Sequence, residues 1–520
     1  MLEVKQLVNQ KKAGVILSYI SEVIKILSSL IYTPIMLRLL GQSEYGTYQI
    51  VYSVVSYLSL LSLGFTASYV RYFSRYKVQE KDDDIAKLNG MFMTIFLIIS
   101  AICLLCGSVM VINIKSIFSD GLTENEYSIA RTLMIMMVIN LAITFPNSVF
   151  DCFTAAHERF FFQRLLTVLQ NLLNPFLTLP LLIMGYGSVG MVAVTTLLTV
   201  SKLISNIWFS FKKLHVHFQF KGFDVSLLKE IWAFTFFIFL NQIIDQINWS
   251  VDKFLLGRMI GTTATAVYGL GGQINTMYVQ LSSSVSSVFV PKVNRIVADT
   301  NDNTMLSKLF SRIGRIQFII LSLVLSGFIF FGEPFMHFWG GAGYEASYGI
   351  ALWLIIPVTV PLIQNLGIEI QRAKNMHKVR SVVYFFIAIG NIFLSIPLIK
   401  LYGAIGAAMG TAISLTAGNI LFMNWYYNYK IGLDIPAFWK NILKFIPALI
   451  FPVICGTLIM ILVEINSVMK LFVFAFIYFI CFSLSMWFIG MNDDEKQMIM
   501  KPIQKLFQIL IRKIRRNADK

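Results

Sequence analysis

About fourteen apolar runs, each roughly 17 to 25 residues long, divide this chain of 520 residues and leave it few ways to fold. They begin near Gly14, Gly46, Met91, Ala130, Leu165, Val189, Ile231, Thr265, Ile316, Tyr348, Ser381, Tyr402, Ile442 and Lys470. A helix of that length rises about 1.5 Å per residue and crosses a hydrocarbon core about 30 Å thick, with its backbone polar groups satisfied internally. With 57% hydrophobic residues, 13% charged residues and a mean hydropathy of +0.70, the chain would leave too much apolar surface uncovered in water. The expected fold is an all-α polytopic membrane protein. Its first run is long, polar in its middle and not followed by a small-residue cleavage site, so it is expected to remain as the first span.

The net charge of +16 does not point to nucleic acid, because the basic residues sit between apolar runs and form no single face. They report topology. With an even number of spans, about 34 Lys and Arg fall on one side and about 7 on the other, which by the positive-inside rule makes the richer side, and with it both termini, cytoplasmic. The five cysteines lie in or beside apolar runs without metal-ligand spacing and are expected as reduced packing residues. No phosphate-binding G-x-x-x-x-G-K-[ST] loop, H-E-x-x-H pair or other catalytic constellation occurs, so no enzyme and no resident cofactor or metal is expected. Net pumping then needs a downhill substrate or H+ or Na+ coupling.

An internal repeat organises the runs. Arg38-Leu39-Leu40-Gly41 and Tyr48 fall 220 residues before Arg258-Met259-Ile260-Gly261 and Tyr268. Asn174-Pro175-Phe176-Leu177-Thr178-Leu179-Pro180 matches Asn391-Ile392-Phe393-Leu394-Ser395-Ile396-Pro397, and Gly187-Ser188-Val189-Gly190 matches Gly403-Ala404-Ile405-Gly406. Six spans per unit is even, so the units share one orientation, as in parallel transporter repeats, with substrate expected between the halves. The expected organisation is a cytoplasmic segment 1–13, a first six-helix bundle 14–211, a linker 212–230, a second bundle 231–428, two added spans in 442–490, and a basic amphipathic tail 491–520 lying on anionic lipid. Prolines inside the spans (Pro34, Pro146, Pro180, Pro357, Pro361, Pro397, Pro447 and Pro452) suggest bends.

Polar residues within apolar runs mark candidate sites. Lys25 lies about 16 Å into a span starting at Gly14, where a charge costs on the order of 3 kcal/mol on insertion scales and must face protein or a wet cavity. Either Glu22, three residues earlier, neutralises it, or Lys25 faces the cavity and holds an anionic headgroup. Its repeat counterpart is Asp245. In the seventh span Asn241, Asp245, Asn248, Trp249 and Asp252 share one helix face, either as a cavity wall with a cation or proton site at Asp245 or as interhelical hydrogen-bonding groups. Gln273 and Asn275 in the eighth span add amide partners for sugars. Arg38 and Arg258 are either phosphate contacts at the outer exit or interfacial snorkelling residues. Asp151, Glu369 and Arg372, near inner ends of spans, are either gate ion pairs or surface charges.

Thr33-Pro34, Arg38, Leu40-Gly41, Tyr45-Gly46 and Tyr48, followed by Leu63-Gly64 and Val70-Arg71-Tyr72, resemble the opening of bacterial polysaccharide-repeat flippases of the Wzx type. These belong to the multidrug/oligosaccharidyl-lipid/polysaccharide (MOP) exporter superfamily, and the likeness in architecture covers nearly the whole chain. The resemblance implies a MATE-like, V-shaped pair of six-helix bundles around a central cavity. It also implies translocation of undecaprenyl-diphosphate-linked oligosaccharide from the inner to the outer leaflet by alternating access, beside a polysaccharide polymerase and chain-length machinery. Within the same fold a multidrug/cation antiporter is the alternative, and Asp245 and Glu22 would suit it. A membrane polysaccharide polymerase is the alternative from another class, but the outer segment around Asn113 to Ile129 is short for a catalytic loop.

Overall fold

The computed structural model of the protein describes residues 2–118, 121–223, 225–498 and 500; the tail pattern from Ile503 to Arg516 lies outside them. Among the described residues every regular element is helical. Helix α1 (Leu2–Ser56) is followed by a 3-10 turn (Tyr57–Ser62), α2 (Phe65–Val78), α3 (Asp82–Ile112), α4 (Ile114–Phe118), α5 (Glu124–Ala156), α6 (Phe160–Ile183) and α7 (Gly187–Lys212). Next come α8 (Val225–Met259), α9 (Thr262–Ser287), α10 (Val290–Asp299), α11 (Asn303–Gly340), α12 (Ala346–Ile363), α13 (Leu366–Ala373) and α14 (His377–Leu415). The remainder comprises α15 (Met423–Tyr426), α16 (Ile435–Leu443), α17 (Ile446–Leu462) and α18 (Val468–Ser485), with π-helical turns at Thr416–Phe422, Tyr427–Ile431 and Met486–Gly490.

Nine helices among the described residues are long and apolar enough to cross a membrane, or ten if α16 and α17, bent by 41°, form one span. This is a multi-pass membrane protein. The expected count of fourteen is compatible with these helices, because α1 and α14 each hold two apolar runs, and α8 and α9, which are not among the ten, hold the runs that begin near Ile231 and Thr265. Helix α1 breaks at Gly41 (φ 74°, ψ 172°) and α14 breaks at Gly403 (φ 62°, ψ −137°). A residue with a Cβ is strained at the φ of Gly41, so glycine punctuates the chain where hydropathy alone would run on. Gly261, which the repeat matches to Gly41, and Gly187, matched to Gly403, also have positive φ, 119° and 54°.

Local chemistry sets other boundaries. Thr123 and Glu126 form a capping box at the start of α5, and the Asp434 and Ser467 side chains accept backbone N–H groups at the starts of α16 and α18. Pro34, Pro146, Pro180, Pro357, Pro361, Pro397 and Pro452 lie inside helices as expected. Pro447 differs: it occupies the first turn of α17, where the missing N–H would be unpaired anyway, so it starts a helix and bends none.

The chain divides into two compact units. One comprises Met1–Gln273, Trp339–Trp353 and Lys378–Ser414, and the other Ile274–Phe338, Leu354–His377 and Leu415–Lys520. The core of the first is aromatic: Phe65 packs edge-on against Phe92 at 6.3 Å, and Tyr69 against Phe92 at 5.1 Å. In this unit α1 also meets the first turn of α9 backbone to backbone, since a Cβ on Gly46 would lie 2.0 Å from the Thr262 carbonyl oxygen. Gly46→Ala should therefore lower unfolding stability by about 1–3 kcal/mol, the usual cost of overpacking, as read by thermal unfolding in detergent.

In the second unit Phe331, Phe445, Tyr478, Phe482 and Met486 form a buried cluster, and Phe445 also lies against a buried ion pair. Arg315 of α11 donates to Glu495 from Nε at 2.6 Å and from Nη2 at 2.9 Å, while Nη1 and Nη2 also donate to the carbonyls of Asn441 and Gly490 at 2.7 and 3.0 Å. The guanidinium lies 4.1 Å from the Phe445 ring centroid. Glu495 in turn accepts from the backbone N–H of Asn492 and so caps the segment that follows the π turn. One side-chain pair thus ties α11, the last turn of α16 and the segment after α18 together.

Candidate functional site

The polar face of α8 is built into the first unit by partners from three other helices. Asp252 is 1% exposed. Its Oδ2 accepts from the Tyr268 hydroxyl of α9 and the Thr411 hydroxyl of α14, both at 2.6 Å, and its Oδ1 from the Ser395 hydroxyl of α14 at 3.2 Å. Asn391, one turn before Ser395, turns its Oδ1 to the Ser395 and Thr411 hydroxyls at 2.9 and 3.2 Å, while its buried Nδ2 has no partner among the described residues. Among the described residues no Lys or Arg hydrogen-bonds to Asp252. A buried carboxylate held by neutral groups is costly in its charged state, and a proton or cation joining it offsets the desolvation. The surrounding donor set is all oxygen, which suits a hard cation.

Neighbouring positions on α8 reach α1. Lys253 donates to Gln49 Oε1 at 3.0 Å, and Gln49 donates onward to the Tyr45 hydroxyl at 2.6 Å. Gln246 donates to the hydroxyls of Ser56 and Ser250. Gln273 of α9 donates to Ser29 at 2.6 Å and Thr33 at 3.1 Å, both on α1. Among the sequence candidates, Asn248 is 8% exposed, and the backbones of Asn241, Asp245 and Trp249 continue α8, but their side chains lie outside the described residues. Asn275 is 2% exposed, with an Oδ1 that has no partner among the described residues.

The remaining candidates do not gather here. Glu22 and Lys25 are both exposed, and among the described residues no ion pair joins them. Arg38 and Arg258 are exposed near the ends of the first segment of α1 and of α8. Asp151 accepts from Lys202 Nζ and Asn206 Nδ2 of α7, each at 2.8 Å, and from Asn147 at 3.4 Å, forming a polar cluster between α5 and α7. Glu369 pairs with Arg372 at 2.9 Å one turn away on α13.

Asn391, Ser395, Thr411 and Lys202 were missed as site residues, although a signal for the first two was present. Asn391 and Ser395 fall in the repeat opposite Asn174 and Thr178, and at nearly the same offset Asp252 falls opposite Tyr32 and Thr411 opposite Thr195. In the first half Asn174 donates to Thr195 at 3.5 Å, and the hydroxyl oxygens of Tyr32 and Thr178 are buried. The two halves keep the amide and hydroxyl positions and differ where one has a phenol and the other a carboxylate.

Comparison with known proteins gives a consistent relationship. A family model described as "Polysaccharide biosynthesis protein" matches residues 12–297. The uncharacterized membrane protein EpsK of Bacillus subtilis (strain 168) is 21% identical over 91% of this chain and 94% of its own length. A candidate O-antigen transporter of Shigella flexneri is 20% identical over 75% of this chain and 91% of its own length. Among solved structures, the lipid II flippase MurJ in an inward closed conformation superposes with a TM-score of 0.70 at 16% identity, covering 91% of this chain and 97% of that one, a likeness of fold.

Proposed function

We propose, since this chain belongs to the polysaccharide biosynthesis protein family, that it is a Wzx-type flippase carrying undecaprenyl-diphosphate-linked oligosaccharide repeat units from the inner to the outer leaflet. It acts as a transporter and not as an enzyme, in line with the O-antigen transporter among its relatives. In this proposal two six-span repeats and two added spans lie in the bacterial cytoplasmic membrane with both termini inside, beside a polymerase and chain-length machinery that receive the product. Alternating access moves the cargo, with sugars meeting the amides of Asn241, Asn248, Gln273 and Asn275, and Lys25 meeting the diphosphate.

The observation that carries the coupling is the Asp252 cluster. Its carboxylate, the Asn391 carbonyl and the hydroxyl oxygens of Ser395 and Thr411 come from two helices widely separated in sequence. They would take up one H+ or Na+, and release of that ion would leave a buried charge that favours a rearranged packing of α8 against α14. Asp252 thereby takes the coupling role expected of Asp245. The proposal is tested by measuring movement of a fluorescent polyprenyl-diphosphate oligosaccharide in proteoliposomes, in parallel with efflux of a cationic dye. Glycolipid movement without dye efflux is the expected result; dye efflux alone would make the protein a cation antiporter. Lys25→Ala should slow glycolipid movement by about tenfold or more, the size of one lost charge-assisted contact of roughly 1.5–3 kcal/mol, without reducing membrane insertion. An unchanged rate would remove Lys25 from the headgroup path.

A further inference from the structure

We propose that the second unit carries a binding site for the phosphate of an anionic phospholipid at the membrane surface, independent of the transported cargo. The site is a cavity of about 1100 Å³ between the first turns of α11, the α16 segment and the residues after the Met486–Gly490 turn. Thr304, Lys308, Ser311, Arg312 and Arg315 share one face of α11 by helical spacing and line it, with Lys444 at the opposite side. Arg315 is committed to Glu495, whereas Lys308 and Arg312 are both exposed and make no salt bridge among the described residues, Lys308 having only the longer-range charge of Asp302 as company. Two cations at i and i+4 repel one another, and an anion held between them relieves this.

Most carboxylates nearby are committed to other groups. Asp302 accepts the Thr304 N–H at 2.7 Å and Asp434 the Ala437 N–H at 2.9 Å, each as a helix cap, and Glu495 holds Arg315. Asp494 remains, exposed on the rim. A smaller cavity of about 490 Å³ in the first unit makes the contrast. There Lys87 of α3 lines the wall, but Asp84 lies 3.5 Å from Lys87 and 3.9 Å from Lys81, so that wall is neutralised by the protein itself.

The depth of the cavity selects a lipid. Arg315 ends the polar start of α11 just before the apolar run at Ile316, Lys444 precedes α17, and Gly490 ends the apolar run of α18. Three span ends converge, so the cavity floor lies at headgroup level, where Lys and Arg attract anionic lipid. The hydroxyls of Thr304 and Ser311 add donors for phosphate oxygens.

The test uses full-length protein in detergent, with retained phosphatidylglycerol and phosphatidylcholine counted by native mass spectrometry, for wild type, Lys308→Gln/Arg312→Gln and Lys444→Gln. Wild type is expected to retain phosphatidylglycerol preferentially, the double variant to bind it about tenfold more weakly or worse, and Lys444→Gln to fall between them. The substituted side chains are exposed, and unchanged thermal unfolding in lipid-free detergent would confirm intact folding; Lys444→Gln decides the matter if the double variant unfolds. Equal retention of the two lipids, or of phosphatidylglycerol by wild type and folded variants, would overturn the proposal and leave the basic residues a purely topological role. Inorganic diphosphate binding as tightly as phosphatidylglycerol would also overturn it, in favour of a soluble ligand.

Discussion

Asp252→Asn protein will insert and fold, yet glycolipid translocation will fall by about 5- to 150-fold, the range of a lost coupling between two sites. The substitution keeps the shape of the side chain and removes its charge. Tyr268, Ser395 and Thr411 all donate to the carboxylate in the present arrangement, and an amide accepts through only one of its two terminal atoms. The buried cluster no longer changes charge when an ion arrives or leaves, so a transmembrane Na+ or H+ gradient should cease to alter the residual rate. Proteoliposome assays with imposed gradients check both points. Wild-type rate and gradient dependence in the variant would eliminate the coupling role. Thr411→Val, which deletes one donor and leaves the carboxylate, should give a smaller loss with gradient dependence retained.

Glu495→Ala will cost about 3–5 kcal/mol of stability, because it leaves the Arg315 guanidinium buried without its counter-charge. Arg315 and Glu495 are among the few buried ionised side chains of the second unit, at 6% and 4% exposure, so little water reaches the guanidinium to replace the lost partner. Denaturant titration of the purified protein measures the loss. Converting both residues to apolar ones of similar size, Arg315→Met with Glu495→Leu, should recover most of it, since no buried charge is then left unpaired. If the single variant unfolds like wild type, the pair is not what joins α11 to the segment after α18.

The helices themselves were legible because a hydrocarbon core admits only segments that satisfy their own backbone, and apolar runs of sufficient length betray that. Gly41 and Gly403 were harder: each lies between two runs that the structure joins into one long helix with a local break, and hydropathy does not report backbone φ. At the candidate site, helical spacing placed Asn241, Asp245, Asn248, Trp249 and Asp252 on one face of α8, but a face does not show that Asp252 meets the hydroxyls of Tyr268, Ser395 and Thr411. Repeat matching also drew attention to Asn391 and Ser395 without revealing what they face.

The sequence by itself determined that the chain is helical and multi-pass, and which helix faces are polar. These follow from properties that act within one segment: hydropathy and a 3.6-residue period. Only the tertiary structure decided partners. Asp252 meets Ser395 and Thr411, Asp151 meets Lys202, and Arg315 meets Glu495, across separations of 143, 159, 51 and 180 residues. A buried polar group must find some partner, but the bilayer constrains only depth and face, so which partner it finds is fixed by how the helices pack against one another.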